Sequence, residues 1–538
     1  MSGDKTFACI ASLFHPDAWS AQMSEPGGKT SRLWESQHYR QEVHSPEDKL
    51  PEGDLVFFLL DSVPQLDVRR FYAPYERETR GAPPCEPAMR VCLVLYASCV
   101  GVFSSRKIVL ACERNLACLA LVGSARPDFR TISDVRKRHL EACKEVFVQV
   151  LRLAAAAGWV KVGNVSTEGT NIQGNASRHH AMSYGSMTKA VERVREDIAA
   201  LVTQAQQQDE SDDAALGSRR GDDLPAERTR REDRLASIES AMRRLEVQAK
   251  AAAEAERTRR AAAEAERMRT GKPRRGTEPQ PVEESPPDKA QCNCTDAAWH
   301  IMSSTNKGWD DCGNAQARVD ETCQSIVSGD VTDATNDKQQ AAPMAQATLL
   351  TLSQAGREPP RDDTGAAQAI VATLESGYDS AAAVLALETM GFDPSMATGR
   401  QRHHDPEAPV PQEPVTTKAR MAAQVRTPEG KAWYARRQVI VEPVCGQSKE
   451  ARGFRRFLLR GLDNIRGAWR LVGLTHNLLK IWCYGCVVHA LEAVGRPVYG
   501  LEMALGRAPW RSGAALALSR QGDVKGANPS GRVRDIPK

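Results

Sequence analysis

The feature that most constrains this chain is a long stretch, about 184–270, built almost wholly of Ala, Glu, Arg, Gln and Leu. It contains a near-exact local repeat, "AAAEAERTRR" followed by "AAAEAERMRT". These residues favour helix, and apolar positions thin out in the second half, so the stretch predicts an inserted helical hairpin or arm, exposed at its tip. Its flanks have another texture. Before it, "WVKVGNVSTEGTNIQGNAS" is rich in β-branched residues and Gly, which predicts a strand over about 159–172. After it comes a Pro-rich, charged linker, "GKPRRGTEPQPVEESPPDK", of the composition expected for disorder. Then "GNAQARVDETCQSIVSGDVTD" predicts a hairpin over about 314–331.

The spacing next predicts a helix near 339–354, a short apolar run in "AQAIVATLESGY", another helix at 380–390, and then "FDPSMATG". Strands separated by helices, after a first strand and a hairpin, imply an α/β core: a mixed sheet with helices on its faces. Ahead of it, 54–156 reads as compact and all-helical, with Pro74, Pro83, Pro84 and Pro87 marking turns. There Thr131 or Ser133 would cap a helix with a basic face at 136–139 and an apolar face of Val146, Phe147, Val150 and Leu151. A small bundle with a basic helix suits DNA; the alternative is a solvated face. A Pro-rich loop at 406–414 precedes helices over 417–482. The division is thus an N-terminal extension (1–53), a helical domain (54–156), a core in two parts (157–183 and 291–482), an arm (184–270), a linker (271–290) and a tail (483–538).

Composition narrows the function classes. The chain has 538 residues and a formal net charge of only +4, so any attraction to polyanions must be local. It contains no apolar run of about 18 residues, which excludes an ordinary membrane span. The start, "MSGDKTFACIASLFHPDAW", has no basic, then apolar, then small-residue pattern, so export is not expected. Fourteen cysteines without regular pairing predict reduced thiols in a cytosolic protein. Cys292, Cys294, Cys312 and Cys323 lack the two-plus-two spacing of zinc sites, and "CYGC" at 483–486 reads as helix packing.

One stretch is chemically odd. In "YARRQVIVEPVCGQSKEARGFRRF", Glu442 stands among Val439, Ile440, Val441, Pro443 and Val444, with Arg436, Arg437, Lys449, Arg452, Arg455 and Arg456 on either side. It is either the lone acid of an amphipathic helix, paired with an Arg, or a carboxylate for a metal ion in a site where basic side chains hold phosphates.

Several motifs in order carry a resemblance: "FYAPYE", "GVFSSRKI", "RPDFRTISDVRKRHL", "NASRHHAMSYGSM", "NAQARVD", "ATGRQRH", "YARRQVIVEPVCGQSKEARGFRRFLLRG" and "THNLLK". From about 55 to 480 the chain resembles bacterial insertion-sequence transposases of the DDE type, which have an RNase H-like catalytic core. The most specific motif is Tyr434, Arg437, Glu442 and Lys449. The resemblance implies three carboxylates holding two Mg²⁺ (or Mn²⁺) ions, at Glu168, Glu375 and Glu442. It implies phosphate contacts from Tyr434, Arg437, Lys449, Arg452, Arg455, Arg456 and Arg460. Its partners would be double-stranded DNA, as terminal inverted repeats and target, with a homodimer on DNA allowed, in the bacterial cytoplasm at the nucleoid.

The chain also departs from the pattern. Glu168 and Glu375 stand where the family has Asp. Cys292 and Cys294 stand in place of Arg and an aromatic residue, and Cys445 in place of another aromatic residue. Each longer acid displaces its carboxylate by about one bond length, and a shift of about 1 Å can cost on the order of 100-fold in rate. The resemblance therefore leaves two expectations, a working transposase and an impaired DNA-binding relic or inhibitor. The arm alone would suit a third, a coiled-coil structural protein.

Overall fold

The computed structural model describes residues 45–76, 83–176, 180–215, 223–271, 280–296, 299–303, 308–359, 361, 364–365, 367–399 and 416–493, with backbone alone at 204–215, 223–226 and 486–493. The centre is one mixed sheet built on β1 (Asn164–Gln173). β1 runs antiparallel to β5 (Trp309–Asp320) and parallel to β7 (Ile370–Leu374). The path is β4–β5–β1–β7–β8, with β6 (Ile326–Thr332) also pairing β5; β4 is His300–Ser303 and β8 is Phe392–Met396. β5 and β6 form the antiparallel hairpin expected from the sequence. β8 carries Pro394, which lacks a ladder donor, and it lies at the end of the strand path, where a proline is tolerated. The fold class is therefore α/β.

Helices cover the sheet. α1 (Leu55–Ser62), α2 (Pro87–Cys99), α3 (Ser105–Arg114), α4 (Leu116–Val122), α5 (Phe129–Arg138) and α6 (Leu140–Ala156) make up the N-terminal region. α2 is buried along its whole length, which explains its continuous apolar run. A single hydrophobic core extends from Leu55 through the sheet residues Val165, Ala317 and Leu374 to Ile481, so the helical region and the sheet fold onto one another. Arg452 stitches them: its guanidinium donates to the carbonyls of Ser98 (2.8 Å) and Val472 (3.0 Å) and to the Thr475 hydroxyl. Gly101, at φ +81°, allows this approach, because a Cβ there would meet the Arg452 carbonyl oxygen at 2.5 Å.

The arm consists of α7 (Tyr184–Ala215) and α8 (Asp223–Thr270), entered through a two-stranded ribbon of β2 (Ala181–Ser183) and β3 (Gln291–Asn293) that stays apart from the main sheet. The two helices are tied by Arg195–Glu239 (2.7 Å) and Tyr184–Glu246 (2.8 Å) around a small second core of Met187, Val191, Ile238, Ala241, Leu245 and Cys292. After the sheet come α9 (Ala341–Gln354), α10 (Ala381–Thr389), α11 (Thr417–Arg426), α12 (Pro428–Ile440), α13 (Glu442–Gly446) and α14 (Leu462–Ala493). No helix among the described residues is long and apolar enough to cross a membrane.

Several expectations are corrected. The first strand begins at Asn164, not 159, because Val162 takes φ 59°, off the extended path. The helix expected with a basic face at 136–139 and an apolar face from Val146 to Leu151 is two helices broken at His139, the first capped by Asp128, whose side chain accepts from Thr131 N, rather than by Thr131 or Ser133. Arg136 of its "basic face" is buried and donates to Phe103 O and Ser105 Oγ. Residues 280–290 of the linker run back along the arm: Arg260 holds Gln280 O at 2.7 Å and Arg257 pairs with Glu284 at 2.6 Å. The last helix continues past 482 to Ala493. Residues 1–44, the linker at 272–279, the loop at 406–414 and the tail from 494 lie outside the described residues.

Candidate active site

Glu168 occupies the middle of β1. The last register pair between β1 and β7 is Thr167 with Leu374, so Glu168 and Glu375 are each the first residue beyond it. Adjacent strands lie about 4.8 Å apart, which makes the two acids neighbours although 207 positions separate Ser166 from Thr373, the register pair two positions before them. Glu442 comes from the helical side, as the first residue of α13, directly after α12 ends.

Arg437, on the last turn of α12, lies between the acids. Its Nη1 donates to Glu168 Oε2 at 3.1 Å and its Nη2 to Glu442 Oε1 at 3.2 Å. The Arg437 side chain is only 10% exposed and Glu168 20%, whereas Glu442 is 44% exposed. Burial pushes the Glu168 carboxyl up; Arg437 opposes that, while Glu375 and Glu442 add repulsion. Burial alone would lower Arg437, but Glu168, Tyr434, Glu375 and Glu442 more than offset it and hold it above its usual value. All three glutamates therefore act on one half-enclosed cation. The Tyr434 ring centroid lies 5.9 Å from that guanidinium. Cys445 is buried below, its thiol pushed up to about 12 by burial, with Glu168 the next cause.

Lys449 is half-buried and donates from Nζ to Asn171 O on β1 at 3.0 Å, and burial pulls its pKa down. In "GFRRF" the aromatic residues point in and the arginines out. Phe454 and Phe457 pack edge to face at 5.4 Å, extended by Phe103 and Trp299, while Arg455, Arg456 and Arg460 are exposed. Phe457 N donates to Gln173 O at 2.8 Å, and Arg456 Nε and Arg460 Nε reach Gly174 O and Asn175 O, each at 3.1 Å. The loop is thus docked on the end of β1.

Arg452 is the correction in this set. It is 7% exposed with its donors turned onto Ser98, Val472 and Thr475, so it joins elements and offers no surface for phosphate. A further anchor was missed in the sequence. Asp296 Oδ2 accepts from Trp299 Nε1 (2.8 Å) and Gly461 N (2.9 Å), and Asn293 donates to Asp311 Oδ2 (2.9 Å), so the turn after β3 clamps the arginine loop. The signal was the polar "NCTD" in an otherwise strand-like stretch.

A family model described as a transposase DDE domain matches residues 400–482, and one described as a transposase domain (DUF772) matches 44–138. The two fall in order at opposite ends of one shared core. Together the two matches support a DDE-type transposase of an insertion sequence. No curated protein and no solved structure matches it. The matched part of this transposase includes Tyr434, Arg437, Glu442, Lys449 and the arginine loop; Glu168 and Glu375 lie outside it. DDE transposases depend on divalent metal, and carboxylate oxygens are the hard donors such ions take. In side-chain position, however, no three His, Cys, Asp or Glu groups among the described residues are gathered closely enough to hold an ion. The donor type and the backbone placement fit the ion; the Arg437 guanidinium lies between two of the donors.

Proposed function

We propose that this transposase cleaves DNA strands at the ends of an insertion sequence and joins them to target DNA, with Glu168, Glu375 and Glu442 as its metal-holding carboxylates. The observation that carries this reading is the convergence of these acids, from mid-sheet, a strand end and a helix start, around the single Arg437 guanidinium. When bound, the divalent ions would activate water or a DNA 3′-hydroxyl and stabilise the leaving oxygen. The chain's own part is positioning. Arg437 keeps the carboxylates together before an ion arrives and then becomes a donor for a phosphate oxygen. Lys449, fixed on Asn171, sets a charge beside β1, and Tyr434 backs the Arg437 guanidinium with its ring. The exposed Arg455, Arg456 and Arg460 hold duplex backbone without reading sequence. Terminal repeats and target DNA are the partners, a homodimer on DNA is the assembly, and the bacterial nucleoid is the place of action.

The second reading, an impaired DNA-binding relic, is favoured by Glu in two Asp positions and by the absence of a ready ion cluster among the described residues. One experiment tests both: cleavage of terminal-repeat DNA by the purified chain with Mg²⁺ and with Mn²⁺, beside the double variant Glu168→Asp/Glu375→Asp. The expected result is DNA binding with poor cutting, more with Mn²⁺ than Mg²⁺, and a gain on the order of 100-fold in the double variant. Efficient Mg²⁺ cleavage by the unaltered chain removes the relic reading. DNA binding with no metal-dependent cutting by either protein removes the carboxylate assignment.

A further inference from the structure

We infer that Asp337 is a positioning residue that sets the spacing between Glu168 and Glu375; this rests on the reading of those two acids as working carboxylates. Asp337 lies in the loop between β6 and α9, on neither of the strands that carry them. Its Oδ1 accepts from Asn314 Nδ2 and from Gln316 Nε2, each at 2.7 Å. Both amides project from β5 and are almost fully buried. They are held in turn: Gln316 Nε2 also reaches Asn314 Oδ1 at 2.8 Å, the Tyr378 hydroxyl donates to Gln316 Oε1, and Trp469 Nε1 donates to Gln316 O at 2.8 Å.

The carboxylate so fixed lies against two glycines. A Cβ on Gly169 would meet Asp337 Oδ1 at 2.4 Å, and a Cβ on Gly377 would meet Asp337 Oδ2 at 3.2 Å. Gly169 follows Glu168 directly, and Gly377 lies two residues after Glu375. One carboxylate therefore lies against the backbone beside both acids: a Cβ at Gly169 would overlap it outright, and one at Gly377 would push it aside by a few tenths of an ångström. Neighbouring residues of a strand point to opposite faces, so Asp337 acts from behind the sheet while the Glu168 side chain faces Arg437. It is a spacer, not a ligand. Gln316, paired in register with Gly169, transmits the position of β5 to the same point. Tyr378 closes the arrangement by tying the turn after Glu375 to Gln316.

The test is Mn²⁺ titration of the full, DNA-free chain, followed by electron paramagnetic resonance, with thermal melts in parallel. The proteins are the unaltered chain, Glu168→Ala, Asp337→Ala, Asp337→Asn, Gly377→Ala and Thr348→Val. The last removes a buried hydroxyl bonded to Ser328 at 2.7 Å and controls for general loss of stability. Asp337→Ala should weaken Mn²⁺ binding about 10- to 100-fold, as loss of an outer support does at metal sites. Asp337→Asn keeps the shape and one acceptor oxygen and should restore most of it. Thr348→Val should lower the melting temperature and leave Mn²⁺ affinity alone. If Asp337→Ala does not melt cooperatively, Gly377→Ala decides: it displaces the carboxylate with every network side chain present, so weakened binding supports the spacer role and unchanged binding overturns it. Mn²⁺ binding lost in Glu168→Ala but unchanged in Asp337→Ala overturns the role of Asp337 and leaves the proposed function standing. An unaltered chain that binds no Mn²⁺, or a Glu168→Ala chain that binds it equally well, overturns both.

Discussion

Two buried charges behave in opposite ways. Glu168 is tied to Arg437 yet carries a raised pKa, because burial outweighs its partner. For an acid so raised, the proton favours the native state: the contribution is complete below the ordinary value of 4.5 and is lost as pH rises through the raised one. Glu168→Gln removes that titration. Its stability relative to the unaltered chain should therefore climb with pH across this window, as read by urea unfolding at a series of pH values; a flat difference would refute the assignment. Arg318 has no such partner. It is wholly buried on β5, donates from Nε to Thr167 Oγ1 at 2.7 Å, and its Nη1 and Nη2 find no acceptor among the described residues. Burial pulls its pKa to about 10. Orphaned buried donors cost about 1–3 kcal/mol, more when charged, so Arg318→Met should raise stability by at least about 1 kcal/mol in a denaturant melt.

At the scale of elements, the segment from Tyr434 to Arg460 divides its basic residues among three tasks. Helix α12 and the start of α13 bring Arg437 and Glu442 together beside Glu168, the buried Arg452 locks α2 to α14, and the arginine loop beyond faces solvent. Arg452→Ala strands the Ser98 and Val472 carbonyls and should cost roughly 3 kcal/mol of stability. In the folded fraction its DNA affinity should be unchanged. Arg455→Ala/Arg456→Ala should do the reverse: a near-unchanged melt, weaker binding to every duplex, and a salt slope shallower by about two. A fluorescence titration across salt concentrations on both proteins checks this. Equal effects of the two variants on DNA would return Arg452 to the contact surface.

At the scale of the molecule, stability is concentrated on one side. The main core runs from α1 to α14 through the sheet, while the arm has only its small cluster near Met187 and Ile238. Beyond Glu246, α8 is dominated by surface pairs such as Arg260–Glu256 and Arg269–Glu266, and Ala253 is its one buried hydrophobic residue among those described. Pairs so exposed to solvent and salt contribute little, too little to match a packed core. Hydrogen exchange should therefore show residues 251–270 opening well before β1, β5 and α14. Equal protection would mean that the arm is packed against something further.

The sequence by itself determined what depends on local pattern. Ala, Glu and Arg in 184–270 favour helix, β-branched residues mark β1 and β6, and the Tyr434-to-Lys449 motif carries the resemblance to transposases. Through the resemblance it also placed Glu168 on the first strand and Glu375 just after a later one. What it could not reveal are relations between distant segments. Arg452 and Arg455 look alike in a basic run, and only packing shows that one faces carbonyls and the other water. Asp337 lies in a plain polar loop, and its contact with Gly169 and Gly377 exists only once β5 and β7 flank β1. The break at His139 and the extension of α14 to Ala493 depend on burial against neighbours that no short window contains. Local propensity sets the elements; which charge is buried, and beside which partner, is decided by desolvation and packing in three dimensions.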